Sequence, residues 1–263
     1  MGFWEMAFLA TVQGITEFIP ISSSGHLVIV QALMDIQEPG ITLEIMLHMG
    51  TLLAVIAVFR RDIADMVKGL LGSVGLGERH PHGKLFWMVA LASLPAGIIG
   101  MSFYSAISGL FQNPAYTYFF LIFTGMYLLI NRFLPDGPVR LDGVGPVRAF
   151  LIGVSQVLTM LPGISRSGTT ITTGKILGLE RETAARFSFL MSIPAVAGAG
   201  LYEARHIRGV ETSYLLLASG VLISFLVGVL AIKALLKVIL AKKLHYFGYY
   251  CLFAGTYGLF YLL

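Results

Sequence analysis

The stretch Gly163-Ile164-Ser165-Arg166-Ser167-Gly168-Thr169-Thr170 sets an arginine and four hydroxyl groups between two apolar segments. Of the 263 residues, 56% are hydrophobic and only 12% are charged. Soluble domains carry roughly twice that charged fraction. Apolar runs of about 20 residues, the length that crosses a bilayer core, recur along the chain. The class implied is an all-α polytopic membrane protein, one integral membrane domain over residues 1–263.

Ten apolar segments can be drawn, at about 3–20, 25–36, 41–59, 85–104, 115–134, 147–162, 168–179, 182–202, 213–236 and 246–263. The second and seventh are too short to cross a bilayer unaided. Each follows a Pro/Gly/Ser-rich break, at 20–25 and 162–168. Such a pair reads as re-entrant, because non-helical backbone at membrane depth survives only inside protein or beside a water-filled cavity.

The two breaks also resemble each other. At a constant offset of 143 residues, Gln13 pairs with Gln156, Thr16 with Thr159, Ile21 with Ile164, Ser22 with Ser165, Ser24 with Ser167 and Gly25 with Gly168. Phe18 against Leu161 is the loosest match. This spacing predicts two repeats of five segments, about 1–143 and 144–263.

Charge then orients them. No lysine or arginine precedes Arg60, whereas the loops at 60–84, 132–148 and 237–245 carry five, three and three. In the 203–212 loop, Arg205 and Arg208 stand beside Glu203 and Glu211. The positive-inside rule puts the three basic loops in the cytoplasm and both termini outside, so the repeats are expected to be inverted. Inverted repeats with broken helices bring their breaks together near the midplane. The stretch 62–74 reads as an amphipathic surface helix.

Several classes are excluded or disfavoured. The net charge of +4 comes from loops, with no basic stripe and no nucleic-acid motif. Cys251 is the sole cysteine and offers no internal disulfide. The N-terminal segment lacks a basic start and carries Glu5 and Glu17, so it is expected to be structure and not a cleaved signal. "GISRS" is not a Gly-x-Ser-x-Gly elbow, and no P-loop or His-Glu-x2-His pattern occurs. "SSGH" and "SRSG" share pieces with the type-2 phosphatidic acid phosphatases, but that pattern's Lys/Arg-Pro element and late histidine-aspartate are missing.

An arginine at a membrane helix centre costs roughly 2.5–3.5 kcal/mol on insertion scales and by default marks function. Arg166 with Ser165 and Ser167, ahead of a helix starting near Gly168, suits a phosphate or pyrophosphate. The plain alternative is a buried ion pair tying the halves together, which leaves the hydroxyls and glycines unexplained. The first break supplies a complement: Gln13 and Glu17 one helical turn apart, then Ser22, Ser23, Ser24, Gly25 and His26. Carboxylate, hydroxyl and imidazole together bind a divalent cation and move protons. The repeat sets Glu17 against Met160, Ser23 against Arg166 and His26 against Thr169. That asymmetry favours phosphoryl transfer over a symmetric transport site.

Two weaker candidates stay open. Glu44 and His48 either line the same cavity or bond within the bundle. Lys175 either meets an anion or snorkels to an interface, the latter being preferred.

Through "TEFIPISSSGHLVIV", "LEIMLHMGTLLAV", "LPGISRSGTTIT" and "RFSFLMSIPA" the chain closely resembles the undecaprenyl pyrophosphate phosphatases, also called bacitracin-resistance proteins. The resemblance implies hydrolysis of undecaprenyl pyrophosphate to the monophosphate and inorganic phosphate, recycling the carrier for cell-wall synthesis, with Mg2+ or Ca2+. It implies a multi-pass protein of the bacterial inner membrane whose site opens to the outer face. By motif, Glu17, Ser23, His26 and Arg166 are the catalytic positions, and Glu17 with Gln13 the metal positions. Ser22, Ser24, Gly25, Gly163, Ser165, Ser167, Gly168 and Thr170 surround the substrate. Many members carry glutamate where this chain has Gln13, a neutral and weaker ligand. The partners implied are the polyprenyl pyrophosphate and bilayer lipids, with a homodimer as a further option. A polyprenyl-phosphate transporter is the competing class.

Overall fold

A computed structural model describes residues 2–34, 41–75, 83–204 and 213–261. Among them the chain is helical throughout, without a β-strand, in twelve α-helices. The first half holds α1 (Phe3–Thr16), α2 (Ser23–Leu33), α3 (Ile41–Val58), α4 (Arg60–Ser73), α5 (Gly83–Ser102), α6 (Tyr104–Leu110) and α7 (Pro114–Leu129). The second holds α8 (Pro146–Leu158), α9 (Arg166–Ile176), α10 (Arg181–Ala204), α11 (Tyr214–Leu240) and α12 (Tyr246–Tyr261). Ten of these overlap the ten apolar segments. The side chains of the charged 203–212 loop, and the ends of the segments at 25–36 and 246–263, lie outside the described residues.

By length and hydropathy four stretches can cross a membrane: Gly83–Ser102, Pro114–Arg132, Arg181–Tyr202 and Tyr214–Leu240. A fifth candidate is α3 with α4, bent by 78° at Phe59. That bend marks a change of environment. α3 is apolar, whereas α4 is the amphipathic helix expected at 62–74, and its Asp62 pairs with Arg186 of α10. α6 was not anticipated, because all but the first of its seven residues fall within the predicted loop after the fourth segment.

Both short helices start two residues before the predicted 25 and 168. Ser22 Oγ accepts from the Gly25 N–H at 3.3 Å, and Ser165 Oγ from the Gly168 N–H at 3.1 Å. Each serine caps its helix and draws the next two residues into the first turn. The capping serines also lie close to Ser24 Oγ (3.4 Å) and Ser167 Oγ (3.3 Å), so the capping contacts are written twice, although φ is +71° at Ser22 and −74° at Ser165.

α9 explains how a polar helix lives inside an apolar protein. Eight of its eleven residues are buried, and α7 with the 3₁₀ turn that follows it (Ile130–Arg132) meets the helix with polar groups. Asn131 donates to Thr172 Oγ1 at 2.7 Å, and Tyr127 OH lies 2.9 Å from Thr173 Oγ1. Lys175 donates to Asn131 Oδ1 at 3.2 Å and is itself buried. The expected snorkelling of Lys175 is therefore corrected: Asn131 offers a partner indoors, and the side chain stays there.

Candidate active site

Two turns of chain without helical hydrogen bonding leave backbone polar groups that must be met elsewhere. The second break is held by α7: Thr124 Oγ1 donates to the Gly163 carbonyl at 2.8 Å and accepts from the Ser165 N–H at 3.1 Å. Gly163 sits at φ +99°, and a Cβ there would come within 2.3 Å of the Thr117 carbonyl oxygen, so only glycine fits. In the first break Ser22 takes φ +71°, a strained angle for a residue with a side chain. The two breaks touch: a Cβ on Gly25 would lie 3.3 Å from Gly163 Cα.

This contact brings the acid of one half to the base of the other. Arg166 projects from the first position of α9, and its Nη2 pairs with Glu17 Oε1. The other carboxylate oxygen, Oε2, accepts from Ser23 Oγ at 2.6 Å and from Gln13 Nε2 at 3.1 Å. His48 Nε2 stands 3.7 Å from the same oxygen. Four side chains thus converge on one buried carboxylate. The ion pair offered as the plain alternative for Arg166 exists, but only half of the guanidinium is used. Nη1 is buried with no hydrogen-bond partner among the described residues.

A cavity of about 330 Å3 opens on this cluster. Glu17, Ser22, Ser23, Ser24, Ser165 and Arg166 face it, joined by Glu44 and His48 from α3 and roofed by Ile107 and Phe111. The open question about Glu44 and His48 is thereby answered: both line the cavity. The hydrogen-bond contact of His48 Nδ1, at 2.8 Å, is with the Glu44 backbone carbonyl oxygen and not with the Glu44 carboxylate. Gln31 hydrogen-bonds that carboxylate instead.

Other predicted residues lie behind the wall. Gly25, Gly163, Gly168 and Ser167 shape the breaks, and Thr170 Oγ1 donates to the Arg166 carbonyl at 2.8 Å and contacts Ser188 Oγ at 2.6 Å. Gln13 is fully buried against Glu17, with its Oε1 unpartnered. His26 does not line the cavity. Its Nδ1 lies 2.8 Å from the Ser22 carbonyl oxygen and its Nε2 2.7 Å from Tyr250 OH, the two rings stacking at 5.7 Å between centroids. Tyr250 of α12 was missed, since nothing distinguishes it from the other tyrosines of that segment.

A hydrated Mg2+ or Ca2+ takes hard oxygen donors, often one or two carboxylates with the rest from water and phosphate. Among the described residues no three His, Cys, Asp or Glu side chains form a metal cage. Glu17 brings a carboxylate to the cavity, and behind it Gln13 has an amide oxygen unpaired among the described residues, both hard oxygen donors of the kind such a cation takes.

An arginine and a carboxylate from two capped breaks meet over a hydroxyl-lined cavity among the apolar helices of a membrane protein. The chain belongs to the bacitracin resistance protein BacA family, whose model matches residues 6–257. It is 40% identical over 258 residues to a Methanosphaera stadtmanae protein named undecaprenyl-diphosphatase, covering 94% of this chain and 93% of that one. Proteins of the same name from Geobacter metallireducens (40% over 252 residues, 94% of each chain) and Moorella thermoacetica (41% over 248 residues, 94% and 90%) are equally similar.

Proposed function

We propose that the protein is an undecaprenyl-diphosphatase, an integral membrane hydrolase releasing inorganic phosphate from undecaprenyl pyrophosphate and returning the monophosphate carrier to peptidoglycan synthesis. The activity confers bacitracin resistance by drawing down the pyrophosphate form. The observation that carries the reading is the Arg166–Glu17 pair, which spans the two breaks and ends in an unpartnered guanidinium nitrogen beside a hydroxyl-lined cavity.

Arg166 and the capped start of α9 bind the pyrophosphate, with charge-assisted hydrogen bonds that strengthen as charge develops on the phosphoryl oxygens. Ser23 Oγ, or a water in its place, attacks the terminal phosphorus. Its proton passes to Glu17, with which Ser23 is already hydrogen-bonded. The bond from that phosphorus to the bridging oxygen breaks, and the lipid monophosphate leaves. If Ser23 attacks, water then hydrolyses the phosphoserine. His48 stabilises the Glu17 carboxylate as it changes protonation. His26 acts from behind by fixing the Ser22 carbonyl, and with it the turn that presents Ser23. Glu17 and Gln13 would hold the divalent cation, which supplies charge neutralisation on the phosphate oxygens.

The repeat explains the layout. We read residues 1–143 and 144–263 as inverted repeats, the α1–α2 and α8–α9 pairs being re-entrant. Matching lengths and caps of α2 and α9 support this. The protein is placed in the inner membrane with both termini outside, the cavity opening to the outer face. Phosphate release from a polyprenyl pyrophosphate by purified protein, with and without EDTA, tests the reading. Metal-dependent release is expected. Saturable binding without release would instead make it a lipid transporter.

A further inference from the structure

The polar cavity does not end at Arg166. A larger cleft of about 510 Å3 continues from it between α5, α6, α8 and α10. Ile107, Thr159, Met160, Arg166, Ala195 and Ala199 belong to the walls of both. Beyond them the cleft is almost wholly apolar and reaches the outside of the bundle, where Met101 and Leu201 are about two-thirds exposed (67% and 71%). Gly97 and Gly198 keep it open, since a Cβ on either would meet no protein atom within 4 Å.

On the wall of this cleft two buried polar groups have no hydrogen-bond partner among the described residues. One is Arg166 Nη1. The other is Gln156, 3% exposed, with neither amide atom hydrogen-bonded among the described residues. The repeat gives the reason. Gln13, at the matching position, spends its amide on Glu17 four residues on, whereas the residue four after Gln156 is Met160. An unpaired buried amide is destabilising, so its persistence on the wall of a cleft points to a ligand.

We propose that the cleft holds the first isoprene units of the substrate and that Gln156, with Arg166 Nη1, grips the lipid-proximal phosphate. The terminal phosphate then falls in the polar cavity beside Ser23 and Glu17. The inference rests on the pyrophosphatase reading and adds a direction to it. The cleft's volume, within the roughly 300–1,000 Å3 of ordinary ligand sites, takes a few isoprene units and leaves the remaining chain to the bilayer. Gln156 Nε2 donates to a phosphate oxygen, and the apolar walls select a hydrocarbon ester over a free pyrophosphate.

The test compares the affinity of farnesyl methylenebisphosphonate, which cannot be hydrolysed, with that of methylenebisphosphonate lacking the chain. Gly97→Leu and Gly198→Leu put side chains into the cleft at positions where a Cβ meets no protein atom within 4 Å. Each is expected to lower the farnesyl-to-free affinity ratio about 10-fold or more, the equivalent of a few displaced methylenes. Gln156→Leu, which keeps the volume, should weaken both ligands by about 10-fold alike. Ratios unchanged in both leucine variants would put the chain elsewhere and overturn the proposal, and unchanged affinities in Gln156→Leu would remove the phosphate grip. Because binding is read without turnover, an inactive wild type with chain-dependent binding would fell the hydrolase reading alone.

Discussion

Between Gln13 and Gly25 the chain ends a helix, turns, and starts another on a serine cap; between Gln156 and Gly168 it does the same. Both caps serve the N–H three residues on, and both serines lie within 3.4 Å of a second serine. The side chains hung on this shared frame differ. The first break carries Glu17 and Ser23, while the second carries Met160 and Arg166 at the equivalent positions. A serine cap used twice can thus set two polar turns against each other, and different side chains hung on them bring a carboxylate to an arginine. The supports differ too: α7 holds the second break through Thr124, whereas the first leans on His26 and Tyr250.

Substitutions can break this comparison in graded steps. Ser23→Ala, in the acid–base break, should lower kcat by at least about 10²-fold. A phosphoserine trapped by acid quench in the wild type and absent from the variant would make Ser23 the nucleophile, and loss of activity without one would give the attack to water. An undiminished kcat would take Ser23 out of the chemistry. Gly163→Ala puts a Cβ against the Thr117 carbonyl at positive φ, and should cost at least about 3 kcal/mol in detergent unfolding. Gly25→Ala, whose Cβ would come no nearer than 3.0 Å to Thr117 Cγ2 and 3.3 Å to Gly163 Cα, at an ordinary φ, should cost less, about 1 kcal/mol. Equal losses would show that the two breaks are under equal constraint, contrary to the geometry.

His48→Gln removes a charge-capable neighbour of Glu17 and should reduce kcat by about 10-fold with little change in KM. A change confined to KM would move His48 from the reaction to binding. The smallest effect on activity is expected at Lys175→Met, which leaves Asn131 Oδ1 unpaired and should lower stability by about 1–2 kcal/mol without altering kcat.

Much of this was legible before any coordinates. The offset of 143 residues predicted that the breaks meet, and the two glycines that touch, Gly25 and Gly163, lie within them. Glu17, Ser23 and Arg166 stood out because polar groups in apolar surroundings are rare. His48 was visible as a residue one turn from Glu44, but an i, i+4 pair does not say which face of α3 is buried. What stayed hidden depends on contacts distant in the chain. Tyr250 reaches His26 across 224 positions, and Asn131 reaches Lys175 across 44. Neither has a local signature, because tyrosines and a lone asparagine are ordinary at helix ends. Capping geometry also moved the short helices, since it depends on the rotamer of Ser22 and Ser165 and not on the hydrophobic run.

The central claim is that one residue from each break completes a single phosphatase site. Phosphate release from farnesyl pyrophosphate by the purified wild type, Glu17→Gln and Arg166→Ala, alone and combined, tests it most directly. The account predicts metal-dependent release in the wild type and a loss of about 10³-fold in either single variant, with the double variant scarcely worse. Release that survives either single change, or losses that multiply in the double variant, would contradict a shared site.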